Sequence, residues 1–195
     1  IAASRIVYLE GYLFDRPDAQ AAFRHAADIA ARSKREVALT LSDSFCVNRH
    51  RLEFLELIRK NVDILFANES EILALYQTPS FEEAARQAKM DAKVAVLTRS
   101  AKGSTIFKGD KAVTVPAVPI RQVVDTTGAG DLYAAGFLFG YAAGWTLDVC
   151  GHLGSLAASE IISHIGARPE TSLAGLAASR GPWRDATPRP PVISP

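Results

Sequence analysis

The stretch "EVALTLSDSFCVNRHRLEFLELIRKNVDILFAN", residues 36–68, alternates between two hydrophobic patterns. Its ends, residues 36–41 and 62–68, are short apolar runs of the length that is typical of buried strands. Between them, residues 47–61 carry apolar side chains at helical spacing, which predicts one helix. The apolar face of this helix consists of Leu52, Leu55 and Ile58. A strand, a helix and a strand with short connections predict two parallel strands joined by a right-handed crossover.

The same alternation continues on both sides of this stretch. Further strands are predicted at residues 5–11 and 93–100, and a strand pair at 103–118. Further helices are predicted at residues 16–34, 68–76 and 146–166, and after Ser80, where Ser80-x-x-Glu83 is typical of a capping box. Small residues along 146–166 indicate that another element approaches that helix closely. We therefore expect an α/β fold of three layers with a mainly parallel central sheet.

The composition is that of an ordinary globular domain, with 195 residues, 48% of them hydrophobic and 22% charged. The net charge of +1 and the dispersed basic residues argue against nucleic acid or a membrane as partners. Neither Cys46 nor Cys150 nor any histidine shows the spacing of a metal site, and we expect a reduced, cytoplasmic location. Residues 1–169 are expected to form one α/β portion, and residues 170–195 a flexible, proline-rich tail.

Residues 123–144, "VVDTTGAGDLYAAGFLFGYAAG", place a glycine turn where a strand passes into a helix. The first helical turn has N–H groups without partners and a partial positive charge, and glycines let an anion such as phosphate come close. Asp131 follows Gly128, Ala129 and Gly130, where it suits a base that takes a proton from a hydroxyl attacking that phosphate. The alternative is a purely structural turn in which Asp131 pairs with the helix dipole. The common dinucleotide and phosphate-loop motifs are absent.

The segment "DTTGAGD" (125–131) resembles the C-terminal motif of the ribokinase-like, or PfkB, family of carbohydrate and nucleoside kinases. The resemblance extends to "NESE" (68–71), which is similar to the family's N-x-x-E element, and to "ASEIISHIGARP" (158–169), which resembles adenosine-kinase-like members. It covers about residues 5–169 and implies a ribokinase-like fold. It also implies an ATP-dependent phosphotransferase acting on an alcohol of a sugar or nucleoside, with adenosine slightly favoured.

The resemblance also implies roles for single residues. Asp131 would be the general base, and Gly128, Ala129 and Gly130 would form the anion hole for the transferring phosphoryl group. Asn68 and Glu71 would hold hydrated Mg²⁺ and the nucleotide phosphates through water, which suits an ion that keeps much of its hydration. The residues alone equally favour a plain helix cap for Asn68 and Glu71, and the two roles are compatible.

Weaker resemblances concern a cation and the nucleotide. Asp125 and the Thr127 carbonyl are similar to the family's site for a monovalent cation such as K⁺, although a turn aspartate that bonds its own backbone is the ordinary alternative. Thr98 and Gly103 are candidates for contact with ATP phosphate or ribose, with Ser100 in place of the middle glycine of T-x-G-x-x-G. This serine is expected to make the backbone less permissive.

Ala157 and Ala158 are candidates for one wall of the adenine slot. Ordinary helix packing explains these two small residues equally well, just as a strand-end turn explains Thr98 and Gly103.

The chain departs from the family at its start, because "IAASRIVYLEG" already corresponds to the middle of the expected fold. The family's first strands, its β lid and most of its contacts to the small-molecule acceptor are expected to be absent from this chain. An exposed strand edge is then expected, and it invites association, for example as a homodimer. The alternative function is a nucleotide-binding fragment without turnover, lacking the acceptor site.

Overall fold

The computed structural model describes residues 1–180 of the chain. These residues form two compact units. The first unit comprises residues 1–99 together with 105–112, and the second comprises residues 100–104 together with the chain from Val113 onward. The remaining part of the tail prediction, residues 181–195, lies outside the described residues.

One six-stranded sheet runs in the order β1-β2-β3-β4-β5-β6. Its strands are β1 (Ile6–Glu10), β2 (Glu36–Thr40), β3 (Ile64–Asn68), β4 (Val94–Thr98), β5 (Ser104–Lys108) and β6 (Lys111–Val115). Strands β1 to β4 pair in parallel. The α/β class and the mainly parallel sheet predicted from the sequence are therefore confirmed, and β1 lies at one edge of the sheet.

The helices of the first unit are α1 (Pro17–Arg32), α2 (Ser44–Arg49), α3 (Arg51–Asn61), α4 (Glu69–Tyr76) and α5 (Phe81–Asp91). The single helix predicted at 47–61 is wrong, because the backbone of His50, with φ −119° and ψ 28°, separates α2 from α3. Leu52 was predicted to lie on the buried face, but it falls in the first turn of α3 and is 68% exposed. Leu55 and Ile58 are buried as predicted.

The core of the first unit consists of aliphatic residues of the strands and helices together with aromatic side chains such as Phe14 and Phe54. Every residue of β4 except Thr98 is buried, as in a sheet that is covered on both faces. Phe14 stacks on Phe54 with ring centroids 4.6 Å apart, and neither side chain is exposed. This packing holds α3 and the segment after β1 together.

The start of α5 differs in detail from the predicted capping box. The Ser80 hydroxyl accepts the Glu83 N–H at 3.3 Å, as predicted. The Ser80 N–H, however, donates to the Thr78 hydroxyl, and that hydroxyl donates to the Glu83 carboxylate at 2.8 Å. Thr78 therefore stands between the two partners that the motif pairs directly.

The second unit contains α6 (Ala129–Ala142), α7 (Leu147–Ile161) and α8 (Leu173–Arg180). Helices α6 and α7 approach through glycines, since a Cβ on Gly136 would lie 2.5 Å from the Leu153 carbonyl oxygen and one on Gly154 would lie 2.7 Å from the Tyr133 carbonyl oxygen. The close approach predicted from small residues is confirmed. Helix α8 lies within the segment predicted to be a tail. Within residues 1–180, none of the helices combines the length and apolar character needed to cross a membrane.

Candidate active site

Polar side chains lie at the carboxyl ends of the parallel strands, which is where α/β folds bind their ligands. Asn68 is the last residue of β3 and Thr98 the last of β4, and the two are paired across the strands. The structure therefore brings together two residues that the sequence analysis selected separately.

Asn68 and Glu71 form a complete capping box at the start of α4. The Asn68 side-chain oxygen accepts the Glu71 N–H at 2.9 Å, and the Asn68 N–H donates to Glu71 Oε2 at 2.9 Å. The Asn68 amide nitrogen also donates to Glu71 Oε1 at 2.6 Å. The cap that the residues alone favoured is thus present. Because both carboxylate oxygens already accept hydrogen bonds, Glu71 suits a metal ion that is held through water.

Glu71 is a buried acid in acidic surroundings. Its side chain is 4% exposed, and burial raises its pKa from the ordinary 4.5 to about 7. The Asn68 N–H opposes this rise, whereas the nearby carboxylates of Asp43 and Glu10 add to it. A raised folded-state pKa stabilises the fold below about pH 4.5, and this stabilisation is lost as the pH rises through 7. A bound cation would favour the charged form of Glu71.

Glu10 and Asp43 were missed by the sequence analysis. Glu10 is the last residue of β1, and Asp43 follows β2 by three residues and caps α2 through the Cys46 N–H at 3.0 Å. Their position just after parallel strands is the signal that would have selected them. Oxygen donors of this kind match the preference of Mg²⁺, so the residues present fit that ion.

An ion pair fastens the segment after β4 to α4. The Arg99 guanidinium donates to Glu69 Oε1 at 2.7 Å and lies 3.8 Å from the centroid of the Phe81 ring. This pair orients the chain that leaves Thr98. Ser100 follows with φ 50°, so the backbone enters the left-handed region without the glycine that the family pattern carries there. The turn thus forms with a serine in it, and the expectation that Ser100 makes this backbone less permissive than glycine would stays a prediction.

In the second unit, the glycine turn leads into α6 as predicted. Gly128 has φ 80°, and a Cβ there would lie 3.2 Å from Ala167 Cβ, so the fold itself demands this glycine. Gly130 differs, because a Cβ built on it meets no heavy atom within 4 Å. Space is therefore open in front of Gly130, and nothing in the packing of the described residues requires it to lack a side chain.

The backbone amides of this turn are not equivalent. The Ala129 N–H donates to the Thr126 carbonyl at 3.1 Å. Among the described residues, the structure gives the Gly128 and Gly130 N–H groups no such acceptor. The positive end of α6 thus has two amides for an anion. Asp131 lies exposed in the first turn of the same helix.

Asp125 forms the turn that the ordinary alternative predicted. Its Oδ1 accepts the Thr127 N–H at 2.9 Å and the Thr127 hydroxyl at 2.7 Å, and its Oδ2 accepts the Gly166 N–H at 3.1 Å. These hydrogen bonds lower the pKa of Asp125 to about 2. The aspartate therefore ties the turn before α6 to the segment after α7, and its role toward K⁺ stays a prediction.

The candidates for nucleotide contact in the second unit are explained in part by packing. Gly103 has φ 84°, and a Cβ there would lie 2.0 Å from the Val115 carbonyl oxygen, so the close approach of the backbone requires glycine. Ala157 is buried and Ala158 half-buried on α7. The first unit thus holds Asn68, Glu71 and Thr98, while the second holds Gly103, Asp125, Thr127, Gly128, Ala129, Gly130, Asp131, Ala157 and Ala158.

A family model described as pfkB family carbohydrate kinase matches residues 1–173. The chain therefore belongs to the pfkB family of carbohydrate kinases, as the resemblance at "DTTGAGD" predicted. Solved structures of ribokinase-like kinases share its fold.

Three relatives show what the chain is similar to within this family. The solved structure of adenosine kinase from Sinorhizobium meliloti is 54% identical, with a TM-score of 0.89, over 91% of this chain and 55% of that one. An "uncharacterized sugar kinase" of Archaeoglobus fulgidus is 40% identical over 58% of this chain and 45% of that protein. A cytidine kinase of Thermococcus kodakarensis is 38% identical over 60% of this chain and 42% of that protein. The chain spans about half the length of these relatives.

Proposed function

We propose that the chain is the nucleotide-binding and catalytic portion of a kinase that transfers the γ-phosphoryl group of ATP to an alcohol of a sugar or nucleoside. The observation that carries this proposal is the start of α6, where two amides lie ahead of an exposed aspartate and the space over Gly130 is open. In this proposal residues 1–169 form that portion and residues 170–195 lie outside it.

The start of α6 supplies both parts of a transfer site. The Gly128 and Gly130 amides, at the positive end of the helix, would stabilise the charge of the transferring phosphoryl group. Ala129 would shape the turn, because its own N–H is taken by Thr126. Asp131 would accept the proton of the attacking hydroxyl as the bond to phosphorus forms and the bond to the leaving ADP oxygen breaks.

Mg²⁺ would neutralise the nucleotide phosphates. Asn68 and Glu71 would orient its water ligands, and the buried position of Glu71 fits a carboxylate whose charge is completed by a cation. Thr98, paired with Asn68 at the same edge, would contact the nucleotide.

In the second unit, Gly103 would contact ATP phosphate or ribose, and Ala157 and Ala158 would line one wall of the adenine slot. The Asp125 turn and the Thr127 carbonyl would hold K⁺. The protein would work in the cytoplasm. An outermost strand of the sheet among the described residues, β1, would be the place for a homodimer contact.

Adenosine is the first acceptor to test. The 54% identity to the S. meliloti adenosine kinase supports it, while the relatives described as cytidine kinase and sugar kinase support pyrimidine nucleosides and sugars as further candidates. A second proposal is a nucleotide-binding fragment without turnover, because the chain spans about half of each relative.

A panel of acceptors tests these proposals. The chain is incubated with Mg²⁺-ATP and adenosine, cytidine, ribose or fructose, both alone and with any residues encoded upstream of Ile1, and phosphorylated product and ATP binding are measured. We expect ATP binding and one class of phosphorylated acceptor. Binding of ATP with no product in either form would favour the fragment, and absence of both would contradict the kinase proposal.

A further inference from the structure

Three side chains of the first unit that can ligate a metal meet outside the candidate active site. The ligand atoms of Asp15, Cys46 and His50 all lie within 4.8 Å of one another. His50 Nε2 is 2.9 Å from Asp15 Oδ1, and the Cys46 sulfur is 3.8 Å from the same oxygen. Neither Cys46 nor His50 was given a role from the sequence, because neither cysteines nor histidines showed the spacing of a metal site. The third side chain, Asp15, lies about thirty residues earlier in the chain.

The fold brings these residues together through two short elements. Asp15 ends a 3₁₀ helix (Gly11–Asp15) that follows β1. Cys46 lies in α2, and His50 follows one turn later at the break before α3. The His50 ring packs edge-on against Phe14, with centroids 5.8 Å apart, which fixes the direction of its Nε2. A metal ion here would clamp the segment after β1 to the helix after β2.

The set of sulfur, nitrogen and oxygen donors favours a borderline-soft metal such as Zn²⁺ or Co²⁺ over Mg²⁺. A tetrahedral zinc site with ordinary bond lengths places its ligand atoms about 3.4–3.6 Å apart. The observed separations bracket this range, so shifts of side chains alone would seat the ion. A water molecule would complete the coordination, because the Asp15 side chain is 38% exposed.

Arg49 donates to both oxygens of the Asp15 carboxylate, and the metal would use the second lone pair of Oδ1. Its Nη2 donates to Asp15 Oδ2 at 2.6 Å, and its Nε donates to Oδ1 at 3.0 Å. An outer hydrogen bond of this kind orients a ligating carboxylate. Asp43 adds a second negative charge near the Cys46 sulfur, which offsets the positive charge of Arg49.

The buried thiol has only weak partners among the described residues. Its sulfur lies 3.5 Å from the Gly11 carbonyl oxygen and 3.8 Å from Asp15 Oδ1. Both contacts are weak for a thiol. Burial, with the carboxylates of Asp15 and Asp43, raises the pKa of Cys46 to about 11, so the charge of a bound metal ion would be what stabilises the thiolate.

We propose that Asp15, Cys46 and His50 form a binding site for Zn²⁺ or a similar transition-metal ion, with Arg49 positioning the carboxylate. On binding, the Cys46 thiol releases its proton to solvent, and the thiolate, the neutral imidazole and Asp15 Oδ1 each donate an electron pair to the metal. The site takes none of its three ligands from the residues proposed for the kinase reaction, and metal binding would stabilise the fold.

Cobalt provides the test, because a thiolate bound to Co²⁺ gives a charge-transfer absorption band. Chelator-treated protein is titrated with Co²⁺, and thermal unfolding is followed with and without Zn²⁺. We expect an absorption band that saturates at one Co²⁺ per chain. Zn²⁺ should abolish this band, whereas excess Mg²⁺ should not. We also expect a higher Tm with Zn²⁺. Cys46→Ala should remove the band, whereas Cys150→Ala, which changes the other buried cysteine, should keep it.

Two variants at the less buried ligands provide a second test if Cys46→Ala does not fold. Asp15→Asn and His50→Asn should each weaken Co²⁺ binding at least tenfold while circular dichroism shows a folded chain. The proposal is overturned if no thiolate band appears at saturating Co²⁺, or if the band survives Cys46→Ala or depends on Cys150. It is also overturned if Asp15→Asn and His50→Asn both bind Co²⁺ as the wild type does.

Discussion

Replacing Gly130 by alanine separates the needs of a ligand from the needs of the fold. Gly130 is the second residue of α6, and a Cβ built there meets no heavy atom within 4 Å. The fold therefore accepts the methyl group, and alanine gains up to about 1 kcal/mol of helix propensity over glycine. We expect the unfolding free energy of Gly130→Ala to equal or exceed that of the wild type.

The activity should change in the opposite direction. The methyl group fills the space where the phosphoryl group would meet the Gly130 amide, and a displacement of about 1 Å costs on the order of 10²-fold in rate. Loss of one such donor has a similar effect of about 10² to 10³-fold. We expect kcat of Gly130→Ala to fall by about 10²-fold. It is measured with the acceptor, and with or without upstream residues, for which the acceptor panel finds activity.

Gly128→Ala is the matched control for the stability measurement. It adds the same methyl group two residues earlier, where φ is 80° and Ala167 Cβ lies 3.2 Å away. Left-handed strain costs about 1–2 kcal/mol, so this variant should lose stability. Thermal unfolding measures the stability of each variant, and calorimetry measures its affinity for ATP. A coupled assay of ADP release measures kcat. The reasoning is refuted if Gly130→Ala turns over and binds ATP as the wild type does, or if its loss of activity follows a loss of stability.

Two further predictions concern stability. Gly136→Ala would press a methyl group against the Leu153 carbonyl, 2.5 Å from the new Cβ, and should lower the unfolding free energy in denaturant titrations by about 1–2 kcal/mol. The control Gly175→Ala, whose new Cβ has its nearest neighbours at 3.6 Å, should not lower it. Equal effects in the two variants would contradict the contact between α6 and α7. Because the pKa of Glu71 rises from 4.5 to about 7 on folding, the wild type in metal-free buffer should lose about 3 kcal/mol of unfolding free energy relative to Glu71→Gln between pH 4.5 and 7; a pH-independent difference would show that Glu71 is not desolvated.

The sequence predicted the features that local pattern and backbone demand determine. The alternation of short apolar runs with helical periodicity predicted the parallel strands β1 to β4, and Asn68 with Glu71 predicted the cap of α4. The glycine turn was placed correctly at the start of α6, and the role of its glycines toward a phosphoryl group stays a prediction. The difference between Gly128 and Gly130 was not visible, because it depends on Ala167, a distant residue that approaches only one of them.

The remaining errors also arise from tertiary contacts. His50 interrupts the helical pattern at 47–61, and its ring packs on Phe14 from a segment more than thirty residues earlier. Glu10 and Asp43 approach Glu71 only because parallel strands bring their carboxyl ends to one edge. Periodicity along the chain carries no information about such neighbours.

The central claim is that Asp131 activates the acceptor hydroxyl for phosphoryl transfer. It is tested most directly by the rate of product formation from Mg²⁺-ATP and the acceptor in Asp131→Asn, with Asp148→Asn as the control, because both aspartates are exposed in the first turn of a helix of the second unit. The account predicts that kcat falls by about 10² to 10⁴-fold in Asp131→Asn, with ATP affinity retained, and does not change in Asp148→Asn. Undiminished transfer in Asp131→Asn, or an equal loss in both variants, would contradict it.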